Sequence, residues 1–241
     1  MVESRKIPYL TTAQMREVDR LMVEEYGIAL LQMMENAGRN LAHLARRRFL
    51  NGDSVGKHIV VLAGSGGNGG GAMVAARRLH IWGAHVQVIL TKPPAPLQGV
   101  PAQQAAILQK LGLALIQADA LPERMHTDLI LDGVIGYSLS GAPQGTAAAL
   151  IRWADVQSAP ILALDMPSGV DASTGDVYDP AICAEATLTL ALPKQGLIAP
   201  EAQQNVGELY LADISVPPDL YARLGFDVGP IFAQEDIVRL V

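Results

Sequence analysis

One stretch constrains this chain more than any other. The run His58-Ile59-Val60-Val61-Leu62-Ala63, almost unbroken in apolar residues, leads straight into Gly64-Ser65-Gly66-Gly67-Asn68-Gly69-Gly70-Gly71. Helical spacing resumes through Val74, Ala75, Arg78 and Leu79. A strand apolar along its whole length is buried on both faces, as in a parallel sheet covered by helices on both sides. A glycine turn between such a strand and a helix lets backbone approach a ligand closely and aims helix N–H groups at it. Gly64, Gly66 and Gly69 satisfy G-x-G-x-x-G. Two familiar uses of such a loop nevertheless fit poorly. The second strand, 85–90, ends in Thr91-Lys92 and not in the carboxylate that would hold a ribose. The loop ends Gly69-Gly70-Gly71-Ala72 and not G-K-[ST], so it is no P-loop. Tight packing alone does not call for six glycines in eight residues, and the loop reads as a ligand-binding one.

The rest of the chain continues the alternation. Thr11 and Gln14 have capping-box spacing, and Met15, Val18, Leu21, Met22 and Tyr26 then form one helical stripe closed by Gly27. A second helix is expected over 30–49, with Met34, Ala37, Leu41 and Leu44 inward. Prolines crowd 93–101, which reads as an extended connection, and helical periodicity resumes over 103–111. Buried strands are expected at 129–132 and 161–165 with a helix over 147–156 between them, and further strands at 186–192 and 208–212. The order predicts a doubly wound α/β sheet in one domain spanning 1–241, with two helices ahead of the core.

Composition removes several function classes. A single cysteine, Cys183, allows neither a disulfide framework nor a thiolate zinc site within the chain. The five histidines, His43, His58, His80, His85 and His126, lack zinc-hydrolase spacing. A net charge of −6 and few aromatic side chains argue against nucleic acid as a partner. No apolar run reaches membrane-span length, and the start lacks a secretory apolar core, so a cytoplasmic location away from membranes is expected.

Asp132 and Asp165 each close an apolar strand. Ligands of open α/β sheets collect outside the carboxyl ends of the strands, so both should face the crevice that Asn68 reaches from the glycine loop. A turn or cap would account for one such aspartate, but two at equivalent strand ends point to function. The loop after Asp165, running to Gly175, offers hydroxyls and carbonyls but no cation. Oxygen ligands of this kind suit a hard ion such as potassium, magnesium or calcium, and Asn68, Asp132 and Ser168 could supply them.

With these segments in order, the chain resembles the YjeF N-terminal domain family, whose enzymatic members are NAD(P)H-hydrate epimerases. Met34-Glu35-Asn36-Ala37-Gly38 reproduces its MENAG segment, and the 61–72 loop resembles V-L-C-G-P-G-N-N-G-G-D-G. Asp132-Gly133-Val134-Ile135-Gly136 is similar to D-A-I-F-G, and 165–175 to D-I-P-S-G-L-D-A-D-T-G. Pro193-Lys194-Gln195-Gly196-Leu197 and Ala212-Asp213-Ile214 also look like family segments. Three positions depart from the pattern: Gly67 and Gly71 stand where the family has Asn and Asp, and Ala142 where an acid is common.

The resemblance implies a three-layer α/β/α Rossmann-like domain, often a homodimer, that interconverts the R and S epimers of the hydrated cofactors NADHX and NADPHX. It implies one potassium ion per subunit, held by Asn68, Asp132 and Ser168. Substrate would meet Gly67, Asn68, Gly69, Gly70 and Gly71, the loop Gly136, Tyr137, Ser138, Leu139, Ser140, Gly141 and Ala142, and Asp165 as the proton-transferring residue. A separate NAD(P)HX dehydratase would complete the repair, since the chain is too short to include one. Two alternatives stand beside this reading: a related domain that binds a nucleotide-type ligand without epimerising it, and a dimeric scaffold.

Overall fold

The computed structural model describes residues 7–240. Helices α1 (Thr12–Glu24) and α2 (Leu30–Leu44) come first, α2 running on into a π-turn at Ala45–Phe49. Then follow β1 (His58–Ala63), α3 (Gly67–Ile81), β2 (His85–Leu90), α4 (Gly99–Lys110) and β3 (Ala114–Gln117). The second half holds β4 (Leu129–Gly133), α5 (Gly145–Asp155), β5 (Ile161–Leu164), β6 (Ala186–Leu190), α6 (Gln203–Val206), β7 (Glu208–Ala212), α7 (Pro218–Arg223) and β8 (Ile237–Arg239).

The strands form one sheet in the order β3-β2-β1-β4-β5-β6-β7-β8. Every pairing is parallel except β7 with β8. Alternate residues of each strand feed two cores. Val61, Ala63, Leu131 and Leu164 pack with Met33, Ala37, Leu41 and Met73 from α2 and α3. Val60, Leu62, Ile130 and Ala163 pack with Leu150, Ile151 and Ala154 from α5 on the other face. This is the three-layer doubly wound arrangement that the apolar strands predict. The sheet order reverses between β1 and β4, where Leu62 lies beside Asp132 in register. That switch point opens a crevice at the carboxyl ends of the strands.

The structure differs from the sequence expectation in four places. Half of the glycine loop is helix, because α3 starts at Gly67. Pro101 lies within α4, in its first turn, where a missing N–H leaves no hydrogen bond unmade. The strand from Ala186 stops at Leu190, since Ala191 takes a left-handed φ of +62° and turns the chain inward. Three short elements, β3, α7 and β8, have too few residues to show a period. No helix among the described residues is long and apolar enough to cross a membrane.

Candidate active site

A cleft of about 730 Å³ lies at the switch point. Ser65, Gly66, Gly67 and Asn68 form one wall, Val134 to Ser138 another, and Met15, Asp19, Met33 and Met34 of α1 and α2 a third. Asp165 and Lys194 form its floor, and Lys92 stands at its rim after β2. Gly67, Asn68 and Gly69 begin α3, so their amides have no acceptor within the helix.

Asp165 follows β5 with a left-handed φ of +69°, a conformation aspartate tolerates better than most side chains. Its own N–H donates to Leu188 O at 2.8 Å, which fixes this turn against β6. Only 4% of its surface is exposed, yet both carboxylate oxygens are partnered. Oδ1 accepts from the Lys194 ammonium, and Oδ2 accepts from the Tyr137 amide at 3.0 Å. Lys194 is fully buried and also donates to Leu190 O at 2.9 Å and Thr189 Oγ1 at 3.3 Å. A charge without water must be met on every side, and here it is. Gly136 has room only for hydrogen, since a Cβ there would stand 2.9 Å from Asp165 Oδ2 and 3.2 Å from Asn68 Cγ. This close approach shows that Asp165 Oδ2, Gly136 and the Asn68 amide share one corner of the cleft.

Beneath that corner, Asp132 is wholly buried. Its Oδ1 accepts from Ser168 Oγ at 2.7 Å and from Val134 N at 3.1 Å, and its Oδ2 accepts from Ser168 N at 2.8 Å. No cationic side chain among the described residues pairs with it. Burial pushes its carboxyl up to about 6, against the opposing pull of the Ser168 bonds. Ser168 Oγ in turn accepts from Ile135 N at 2.8 Å, tying the two loops together. Both polar atoms of the Asn68 carboxamide are buried without a partner among the described residues. Such orphans are rare in folded proteins and call for a ligand, ion or water.

The sequence-derived candidates thus fall into three groups. Gly67, Asn68, Gly136, Tyr137, Ser138 and Asp165 border the cleft. Asp132 and Ser168 are buried against its floor. Gly69, Gly70 and Gly71 are buried inside α3, and Leu139, Ser140, Gly141 and Ala142 lie beyond the cleft lining. At position 71 a Cβ would stand 3.0 Å from Leu164 Cδ2, 3.6 Å from Ala37 Cβ and 3.8 Å from Met34 Sδ. An apolar seam therefore surrounds the site where the family pattern has aspartate. At position 67 a Cβ would meet only Met34 Sδ, at 3.6 Å.

Two residues of the site were not singled out from sequence. Lys194 sat in a recognised segment, but nothing in its spacing says that it is buried. Asp19 lies one helical turn after Met15, on the inward stripe of α1, and that interruption of an apolar face was its signal. The Tyr137 hydroxyl donates to Asp19 Oδ2 at 2.5 Å. Burial raises the Asp19 carboxyl above its ordinary value, against the pull of this bond. Burial and the neighbouring Asp19 charge raise the Tyr137 phenol as well, so it stays protonated.

A parallel sheet with a glycine-started helix and a buried carboxylate–lysine pair at its switch point defines a Rossmann-like small-molecule site. The profile described as YjeF-related protein N-terminus matches residues 30–196, and the chain belongs to that family. It is 43% identical over 223 residues to an NAD(P)H-hydrate epimerase of Dehalogenimonas lykanthroporepellens, covering 92% of this chain and 88% of that protein. It is 35% identical to the bifunctional NAD(P)H-hydrate repair enzyme Nnr of Moorella thermoacetica, covering 90% of this chain but 42% of that protein. The chain thus spans less than half the length of that bifunctional relative. The crystal structure of yeast ynu0, YNL200c, superposes with a TM-score of 0.78 at 24% identity, covering 97% of this chain and 100% of that one. The fold is the same.

Proposed function

We propose that this protein is an NAD(P)H-hydrate epimerase, an isomerase that interconverts the R and S forms of NADHX and NADPHX. One observation carries the reading: Asp165, nearly dry and ion-paired to Lys194, presents Oδ2 to a cleft walled by a glycine-started helix. The names of the full-length relatives agree with it. The hydrated carbon of the substrate carries a hydroxyl and adjoins the ring nitrogen. Inversion there requires a proton to leave or reach that hydroxyl, and a fixed carboxylate in a water-poor cleft does this work. The amides at the start of α3 suit the pyrophosphate. Lys92 has no acidic partner among the described residues and suits the same anion from the rim.

The potassium ion expected of the family fits the residues present. Among the described residues Asn68 Oδ1 lacks a partner and Asp132 is a buried carboxylate without a cation, and Ser168 adds a hydroxyl oxygen. These are hard oxygen donors, and among the described residues no group of three His, Cys, Asp or Glu side chains could hold a metal ion, as a thiophilic one would need. Bound there, the ion would supply positive charge under the cleft floor. A homodimer, a cytoplasmic setting and a dehydratase that removes the S form belong to the same reading. The bifunctional names of several relatives support the dehydratase step.

The test is direct. Purified protein added to epimeric NADHX with an S-specific dehydratase should speed consumption of the R form. Asp165→Asn should abolish that gain; asparagine accepts the same φ and can still receive the Lys194 bond, and circular dichroism checks that the fold survives the loss of the counter-charge. No acceleration by the wild type would leave a ligand-binding domain without this activity.

A further inference from the structure

We infer that Asp19, held by the Tyr137 hydroxyl, is the second proton-handling group of the reaction, working opposite Asp165. The inference rests on the epimerase reading. Its ground is a symmetry in how Tyr137 is used. The amide of this residue donates to Asp165 Oδ2 and its phenol donates to Asp19 Oδ2, so one tyrosine spaces two carboxylates along the same cleft. Asp165 comes from the turn after β5 and Asp19 from α1, and both line the cleft.

The two carboxylates are not equivalent. Asp165 is paired with an ammonium, whereas Asp19 has no cation within ion-pair distance among the described residues. The groups that face Asp19 are the Tyr137 phenol, Lys194 and Asp165 across the cleft, and the buried Tyr221 hydroxyl; Arg16 acts on Tyr137 from the same helix. Burial and the Asp165 charge favour the proton on Asp19, and Tyr137 and Lys194 oppose it. Two carboxyls set in unlike surroundings, one ion-paired and one not, are a common division into base and acid.

Inversion at one carbon by loss and regain of water uses both faces of the ring. Protonated Asp19 gives its proton to the hydroxyl on one face. The carbon–oxygen bond breaks, its electron pair leaves with water, and the ring-nitrogen lone pair forms a carbon–nitrogen double bond. Water then adds to the other face, and its surplus proton goes to Asp165. Exchange with solvent returns the proton balance, and the reverse reaction exchanges the two roles.

The experiment compares wild type, Asp19→Asn and Tyr137→Phe in the coupled NADHX assay, with kcat and KM followed against pH. Asp19→Asn retains an acceptor for Tyr137 and should lower kcat on the order of a hundredfold with little change in KM. It should also erase the alkaline limb of the kcat profile. Tyr137→Phe removes the bond that favours charged Asp19, so that limb should move to higher pH. An Asp19→Asn enzyme that keeps the wild-type kcat, or that loses rate while keeping the alkaline limb, overturns the inference and leaves the epimerase reading intact. An unmoved limb in Tyr137→Phe does the same should Asp19→Asn fail to fold. A wild type without epimerase activity removes both.

Discussion

At the residue scale, Lys194 is the group on which the site depends most. It is fully buried, and its positive charge is met by Asp165 and two further oxygens. Replacing it with methionine leaves a nearly dry carboxylate without its counter-charge. Breaking such a pair typically costs about 3–5 kcal/mol. Lys194→Met should therefore lower the urea midpoint strongly, and Asp165→Asn added to it should recover much of the loss. A Lys194→Met protein as stable as wild type would show that the pair is not formed in solution. The double variant also separates folding from chemistry, since it should fold and remain inactive.

At the element scale, α2 and α3 cross at their smallest residues. A Cβ on Gly38 would stand 2.3 Å from Gly71 O and 2.5 Å from Val74 Cβ. Backbone cannot yield as a side-chain tip can, so Gly38→Ala forces the two helices apart. Overpacking of this kind costs about 1–3 kcal/mol, more than the helix-propensity gain of about 1 kcal/mol returned by alanine. A clear fall in thermal midpoint is the expected result. Gly71→Ala, whose one tight contact is a leucine tip at 3.0 Å, should be much milder. The elements that position the site were legible in sequence wherever they are long or wholly apolar. Strand β1 was read with its bounds, as was β2, and the Thr11–Gln14 capping box forms as its spacing implied. Strand β3 escaped because its side chains are only half-buried at the sheet edge and carry no alternation. The site was less legible than the fold. Asp132 and Asp165 announced themselves by ending apolar strands. Lys194 is placed by the left-handed turn at Ala191, and single-residue backbone geometry leaves no mark in an alanine. Asp19 was hidden in a helical stripe that reads as core.

At the scale of the whole molecule, the cleft gathers parts from both halves of the sheet and from both leading helices. A ligand that binds only the assembled cleft stabilises the fold by mass action. Potassium chloride should therefore raise the thermal midpoint above an equal concentration of lithium chloride. Exchanging Asn68 for alanine should shrink the difference, because it removes the unpartnered buried oxygen. Equal midpoints in the two salts for wild type would argue against a potassium site. This readout needs no turnover, so it separates ion binding from catalysis. Sedimentation at micromolar concentration in the same salts tests the homodimer.

The chain ahead of α1 joins the site in a way that bears on how the protein is made. Leu10, wholly buried, donates from its N–H to Pro193 O at 2.8 Å and accepts from Gln195 N at 2.9 Å, so it brackets Lys194. Thr12 continues the attachment through Ser173 Oγ at 2.8 Å. Leu10 leaves the ribosome well before Lys194 does. Strands β1 to β5 can pair while Lys194 is still inside the exit tunnel, but the turn at Asp165 cannot dry out until its counter-charge arrives. A nascent chain stalled before Lys194 should consequently carry an open strand end that proteases and chaperones can recognise. Quality control during synthesis would thus be reading the same ion pair that floors the finished cleft.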